Sequence, residues 1–183
     1  MKLSGSPAVH VELGRRLDAF DATRRSLLRD LEALEPAVLA AKPLAGKWSI
    51  LEIVEHLVLA ERAVFKGMPD PSRLVAGQRG LGSEARYLLV IFVLKAGIPV
   101  RAPSRAMLPQ GGRSLAELRR LWDENQVWLR SVIEALGPEG VRSAVFEHPI
   151  AGPLSVEQAV RMVQVHIDGH VKQIRTLQRL VAP

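Results

Sequence analysis

An all-α protein, a four-helix bundle with one long crossover, is the fold that this sequence predicts. Four stretches repeat apolar residues at three- and four-residue spacing, the mark of a helix with one buried face. Serines that suit helix caps open three of them, and no convincing run of paired strands competes. With 48% hydrophobic and 24% charged residues, the 183-residue composition fits one globular domain spanning 1–183.

The first helix is expected from about Val9 to Leu34, where Leu13, Leu17, Phe20, Leu27, Leu31 and Leu34 form the stripe. Pro36 marks its end, and Lys42-Pro43-Leu44-Ala45-Gly46 reads as a turn. Ser49 caps the second helix, with Glu52 three residues on completing a capping box. Ile50, Ile53, Val54, Leu57 and Val58 follow, and the helix stops near Gly67-Met68-Pro69.

Residues 68–113 form the crossover. Pro69, Pro71, Pro99, Pro103 and Pro109 interrupt it, around an apolar stretch from Tyr87 to Ala96. That stretch reads as one short helix, with a strand as the alternative because Val90-Ile91-Phe92-Val93 is β-prone. Ser114 and Glu117 then repeat the capping box before a third long helix on Leu115, Leu118, Trp122, Leu129, Val132 and Leu136, closed by Gly137-Pro138. A loop through His148-Pro149-Ile150-Ala151-Gly152-Pro153 leads to Ser155, which caps the last helix, expected to reach about Val181.

Several function classes drop out. Cysteine is absent, which removes disulfides, thiolate metal sites and cysteine nucleophiles. The first residues lack the apolar core of a signal peptide and the longest apolar run is too short to span a bilayer, so a cytoplasmic protein without a membrane span is expected. Phosphate-loop, dinucleotide, nucleophile-elbow and His-Glu-x-x-His sequences are missing. The net charge of +6 is concentrated: Arg73 to Arg120 holds nine basic residues and two acidic ones. Such a field suits an anionic small molecule, with Arg101, Arg105 and Arg113 as candidate binders. A solvated surface is the bland alternative. Nucleic acid is not expected, since no stacking or recognition motif accompanies the charge.

Histidines carry the chemistry. On the last helix Ala159, Val163, His166, His170, Ile174 and Leu177 keep three-and-four spacing, so both imidazoles lie on the apolar stripe. His56 shares its face with Ile53, Ala60 and Ala63. A buried imidazole must satisfy both ring nitrogens, and a metal shared by His56, His166 and His170 would occupy one nitrogen of each. Hydrogen-bonded core histidines are the alternative. His10 and His148 read as surface residues. Glu52 and Glu55 are candidates to orient a ligand histidine, although Glu52 is equally a helix cap. Asn125, on the inward face of the third long helix, is a candidate to contact a bound water or substrate.

Trp48-Ser49-Ile50-Leu51-Glu52-Ile53-Val54-Glu55-His56-Leu57, followed far downstream by His148-Pro149, Gly152-Pro153-Leu154-Ser155 and His166-x-x-x-His170-x-x-Gln173, resembles the DinB-like or YfiT-like family. Gln173 enters as a further residue beside the ligands through that motif. The resemblance implies a four-helix bundle that often dimerises and a divalent metal (nickel, zinc or manganese) on His56, His166 and His170. It further implies a metal-dependent transferase, isomerase or hydrolase using a low-molecular-weight thiol. The other function class is a non-enzymatic stress-response or partner-binding bundle. No catalytic side chain beyond the metal ligands is singled out.

Overall fold

The computed structural model describes residues 7–66, 80–98, 104–142, 144–148 and 150–181. Its elements are α1 (Pro7–Glu32), α2 (Pro36–Ala40), α3 (Ile50–Lys66), α4 (Leu81–Lys95), a 3-10 turn (Arg105–Met107), α5 (Leu115–Arg142), β1 (Ala144–His148), β2 (Gly152–Ser155) and α6 (Val156–Val181). The expected all-α class is the one that forms. The long helices α1 and α3 each pack against both α5 and α6. They close on one core in which Leu13, Phe20, Leu31, Ile53, Leu57, Leu118, Trp122, Leu129, Ala159 and Ile174 are almost wholly buried.

The caps work as their residue types require. Ser49 N–H donates to Glu52 at 2.8 Å while Glu52 N–H donates back to Ser49 Oγ at 3.2 Å. Ser114 and Glu117 repeat the exchange, and Ser155 does so with Gln158. Each box satisfies backbone donors that a helix start leaves open.

Four details differ from the sequence expectation. Pro36, read as a terminator, opens the five-residue α2, because a proline at the first helical position loses no hydrogen bond. The crossover helix begins earlier than the apolar stretch, at Leu81, with Glu84 in its first turn. Helix α5 continues through Gly137-Pro138 to Arg142. Val141 is buried there, and its packing holds a turn that the missing proline N–H weakens. The expected loop at 148–153 is part of a β1–β2 antiparallel hairpin, with Glu147 opposite Pro153 and an irregularity between Ala144 and Phe146. His148 is half-buried there, and its Nδ1 accepts the N–H groups of Ile150 and Ala151 at 3.2 and 3.0 Å. The side chain of His10 lies outside the described residues.

In the crossover, α4 lies against α6 and the 3-10 turn against α3. Gly169, between the two histidines of α6, is where α4 comes close: a Cβ there would stand 3.6 Å from the Leu94 carbonyl oxygen. The two elements that carry the histidines are therefore also the ones that the crossover covers.

Candidate metal centre

His56 sits on the second turn of α3, facing the core with 6% of its surface exposed. His166 and His170 project from one face of α6 and are half-buried. Their three side chains meet. His56 Nε2 lies 3.3 Å from His166 Nε2, and His170 Nε2 lies 3.1 Å from the same atom. Ring centroids stand 4.6–5.2 Å apart in edge-on arrangements, and Trp48 packs on His56 at 4.9 Å.

The other ring nitrogens decide what the cluster presents. His56 Nδ1 is 2.7 Å from the Met107 carbonyl oxygen, which can only accept, so Nδ1 carries the proton and Nε2 keeps its lone pair. His170 Nδ1 makes the same kind of bond to Gln173 Oε1 at 2.9 Å. Two lone pairs thus converge on His166 Nε2, and one proton there cannot be shared well by both. A cation at the centre satisfies all three. The spacing fits: ligand nitrogens about 2.0–2.1 Å from a tetrahedral ion stand about 3.3–3.4 Å from one another. Among the described residues, these three histidines form the group whose ligand atoms lie close enough together to hold a metal ion.

Electrostatics points the same way. Burial pushes the pKa of His56 down, against a smaller upward pull from its bond to Met107. His166 falls to about 3, through burial and then through His170 and His56 beside it. His170 falls to about 4, by burial and by His56, with the Gln173 bond opposing. All three are neutral near pH 7, the form in which imidazole binds a metal.

The family model of the DinB superfamily matches residues 19–174. The chain belongs to the DinB superfamily. That match runs from α1 through α6 and its range includes His56, His166 and His170. No curated protein and no solved structure matches the chain.

The remaining candidates of this DinB chain fall in different places. Gln173 is on the site, bonded to His170. Glu52 serves its capping box and pairs with Lys42 at 2.8 Å. Asn125 donates to the Val58 carbonyl at 3.1 Å and so ties α5 to α3. Glu55 is buried and receives Arg113 at 2.8 Å together with two backbone N–H groups of the crossover. Arg105 is exposed on the 3-10 turn that carries Met107, while Arg101 lies outside the described residues.

Two features had no signal in the residue pattern. The Met107 carbonyl is backbone, which no side-chain type announces. Glu61 looks like an ordinary helical glutamate, yet it is buried between α3 and α5 and accepts Trp122 Nε1 at 2.6 Å and Gln126 Nε2 at 2.7 Å. Burial raises its pKa to about 8 against the pull of those bonds and of Arg24.

Proposed function

We propose that this chain is a divalent-metal-dependent enzyme of the DinB superfamily, its ion held by His56, His166 and His170. The observation that carries the reading is the convergence of three neutral imidazoles with lone pairs on His56 and His170 directed at one point. Three protein ligands leave a tetrahedral ion an open position, the arrangement suited to catalysis. A bound ion of nickel, zinc or manganese there supplies Lewis acidity, lowering the pKa of water or of an incoming thiol toward about 7. The protein's part is to fix the ligand nitrogens, through Met107 and Gln173, and to exclude water on the buried His56 side. Transfer, isomerisation or hydrolysis of a small, anionic substrate with a low-molecular-weight thiol is the activity class we assign, in a cytoplasmic homodimer. Exposed Arg105 is the basic candidate we assign to steering the anion, since Arg113 is taken up by Glu55.

The test begins with metal. Untagged protein is stripped with chelator and titrated with nickel, zinc and manganese while melting is followed. One ion per chain, lost in His166→Ala and His170→Ala, is expected. Metal content that is unchanged in both variants overturns the assignment.

One observation favours a second reading, a partner-binding module. The outer face of α4 exposes Leu81, Leu88, Leu89 and Phe92, the last at 64%, and contiguous apolar surface of this kind often marks an interaction site. A metal-loaded protein inert toward thiol-dependent substrates, whose partner binding is lost in Phe92→Glu, would favour that reading.

A further inference from the structure

Glu55 is next to the ligand His56 on α3, and the crossover takes up its carboxylate. Oε2 accepts the N–H groups of Gln110 at 3.2 Å and Gly111 at 2.8 Å, while Oε1 accepts Arg113 at 2.8 Å. Only 1% of Glu55 is exposed, so these donors replace water around a buried charge. Gly111 and Gly112 have φ of 77° and 83°, a left-handed geometry that glycine adopts without strain. The same segment holds Met107, whose carbonyl receives His56 Nδ1–H at 2.7 Å.

The chain leading into and out of the first anchor has little freedom. Ser104 Oγ caps the turn through Ala106 N–H at 3.2 Å, Met107 N–H bonds to the Ser104 carbonyl at 3.1 Å, and Leu108 N–H to that of Arg105 at 3.1 Å. Pro109 fixes a further φ. Residues 107–113 thus make a short strap fastened to consecutive residues of α3, to His56 through a carbonyl and to Glu55 through its carboxylate.

We propose that Glu55 is a positioning residue for the metal centre. By anchoring the strap it holds the Met107 carbonyl on His56 Nδ1, and so keeps Nε2 unprotonated and turned toward His166. Arg113 belongs to this anchor, a role distinct from binding an anionic substrate. The effect on affinity rests on the metal reading above; the effect on the His56 tautomer does not.

The experiment therefore reads both. In metal-free protein at pH 7.5, long-range nitrogen–proton correlation spectra report which nitrogen of His56 carries hydrogen. Wild type is expected to show it on Nδ1. Glu55→Ala is expected to give a mixture of tautomers and to weaken zinc binding, measured by competition with a chromophoric chelator, by about 10–100-fold. Glu55→Gln keeps an oxygen for the two backbone donors and should retain the Nδ1–H form. Arg113→Ala, which leaves both backbone bonds in place, should produce a smaller shift than Glu55→Ala. The indole N–H signal of Trp122, buried between α3 and α5 on Glu61, serves as the control for folding.

If Glu55→Ala does not fold, the reading passes to the other two variants. Retention in Glu55→Gln with a partial shift in Arg113→Ala supports the strap, and wild-type tautomer in both overturns it. A Glu55→Ala protein with an unchanged His56 tautomer overturns it as well, even if its melting temperature falls. Wild type that binds none of nickel, zinc and manganese yet shows a Glu55-dependent tautomer would sink the metal reading and leave Glu55 as a positioning residue for the His56 ring.

Discussion

At the scale of single residues, the three histidines are held uncharged, and this makes the apoprotein sensitive to acid. The folded pKa values of His166 and His170, about 3 and about 4, lie below that of an ordinary imidazole. Between about pH 6.5 and those values the unfolded chain binds more protons, so stability falls as pH falls through that window and is unaffected by these groups above it. Melting of metal-free protein between pH 7 and 4 should show this, and His166→Ala should take up about one proton fewer on unfolding. Glu61 acts with the opposite sign. Its folded pKa of about 8 exceeds the free value of 4.5, so the folded state holds the extra proton and stability is lost as pH rises through that interval. Gln126 Oε1 is buried with no hydrogen-bond partner among the described residues. If the Gln126 amide turns over, a protonated Glu61 can donate to that oxygen, and so can the amide of Glu61→Gln. The variant is expected to melt higher than wild type at pH 8–9, with the gap closing toward pH 5; an equal gap at both ends would place the effect in packing instead of ionisation.

The long helices were largely legible because each carried a periodic apolar face and three of the four carried a cap as well. Ser49 with Glu52 and Ser114 with Glu117 form the expected boxes, and Ala159, Val163, Ile174 and Leu177 of the expected α6 stripe are buried, with His166 and His170 half-buried between them. The β1–β2 hairpin carries no comparable signal, because its strands are only five and four residues long and Pro153 stands within the second. Of the residues around the ligands, Gln173 stands on the same helix as His170, three positions on, so helical periodicity brings it near. The strap at 107–113 depends on a backbone carbonyl and on chain reversal at glycines, neither of which has a periodic signature. Within α6, Gly169 offers a direct test of packing at the centre. The nearest neighbour of an added methyl would be the Leu94 carbonyl at 3.6 Å, an ordinary contact. Gly169→Ala should therefore stabilise the fold by about 0.5–1 kcal/mol through helix propensity alone. Urea denaturation of metal-free protein should show it, with zinc stoichiometry unchanged; a loss of stability would mean that α4 needs to approach more closely than this contact implies.

For the whole molecule, an ion bound only by the folded state adds stability by mass action. At a hundredfold excess over Kd this is about 2.7 kcal/mol, which for a protein of this size raises Tm by roughly 5–10 °C. Chelation should reverse the shift in wild type and leave His170→Ala unmoved, as scanning calorimetry can report. The position of the ligands along the chain has a further consequence, for a protein emerging from the ribosome. His56 precedes His166 by 110 residues. At about 5–20 residues per second, on the order of 5–20 s pass between the synthesis of the first ligand and that of the second. Throughout that interval a nascent chain offers one of the three histidines of the centre, and any product that stops short of α6 keeps only that one. On the proposed metal reading, an ion held by all three histidines is thereby reserved for chains that have been translated through α6.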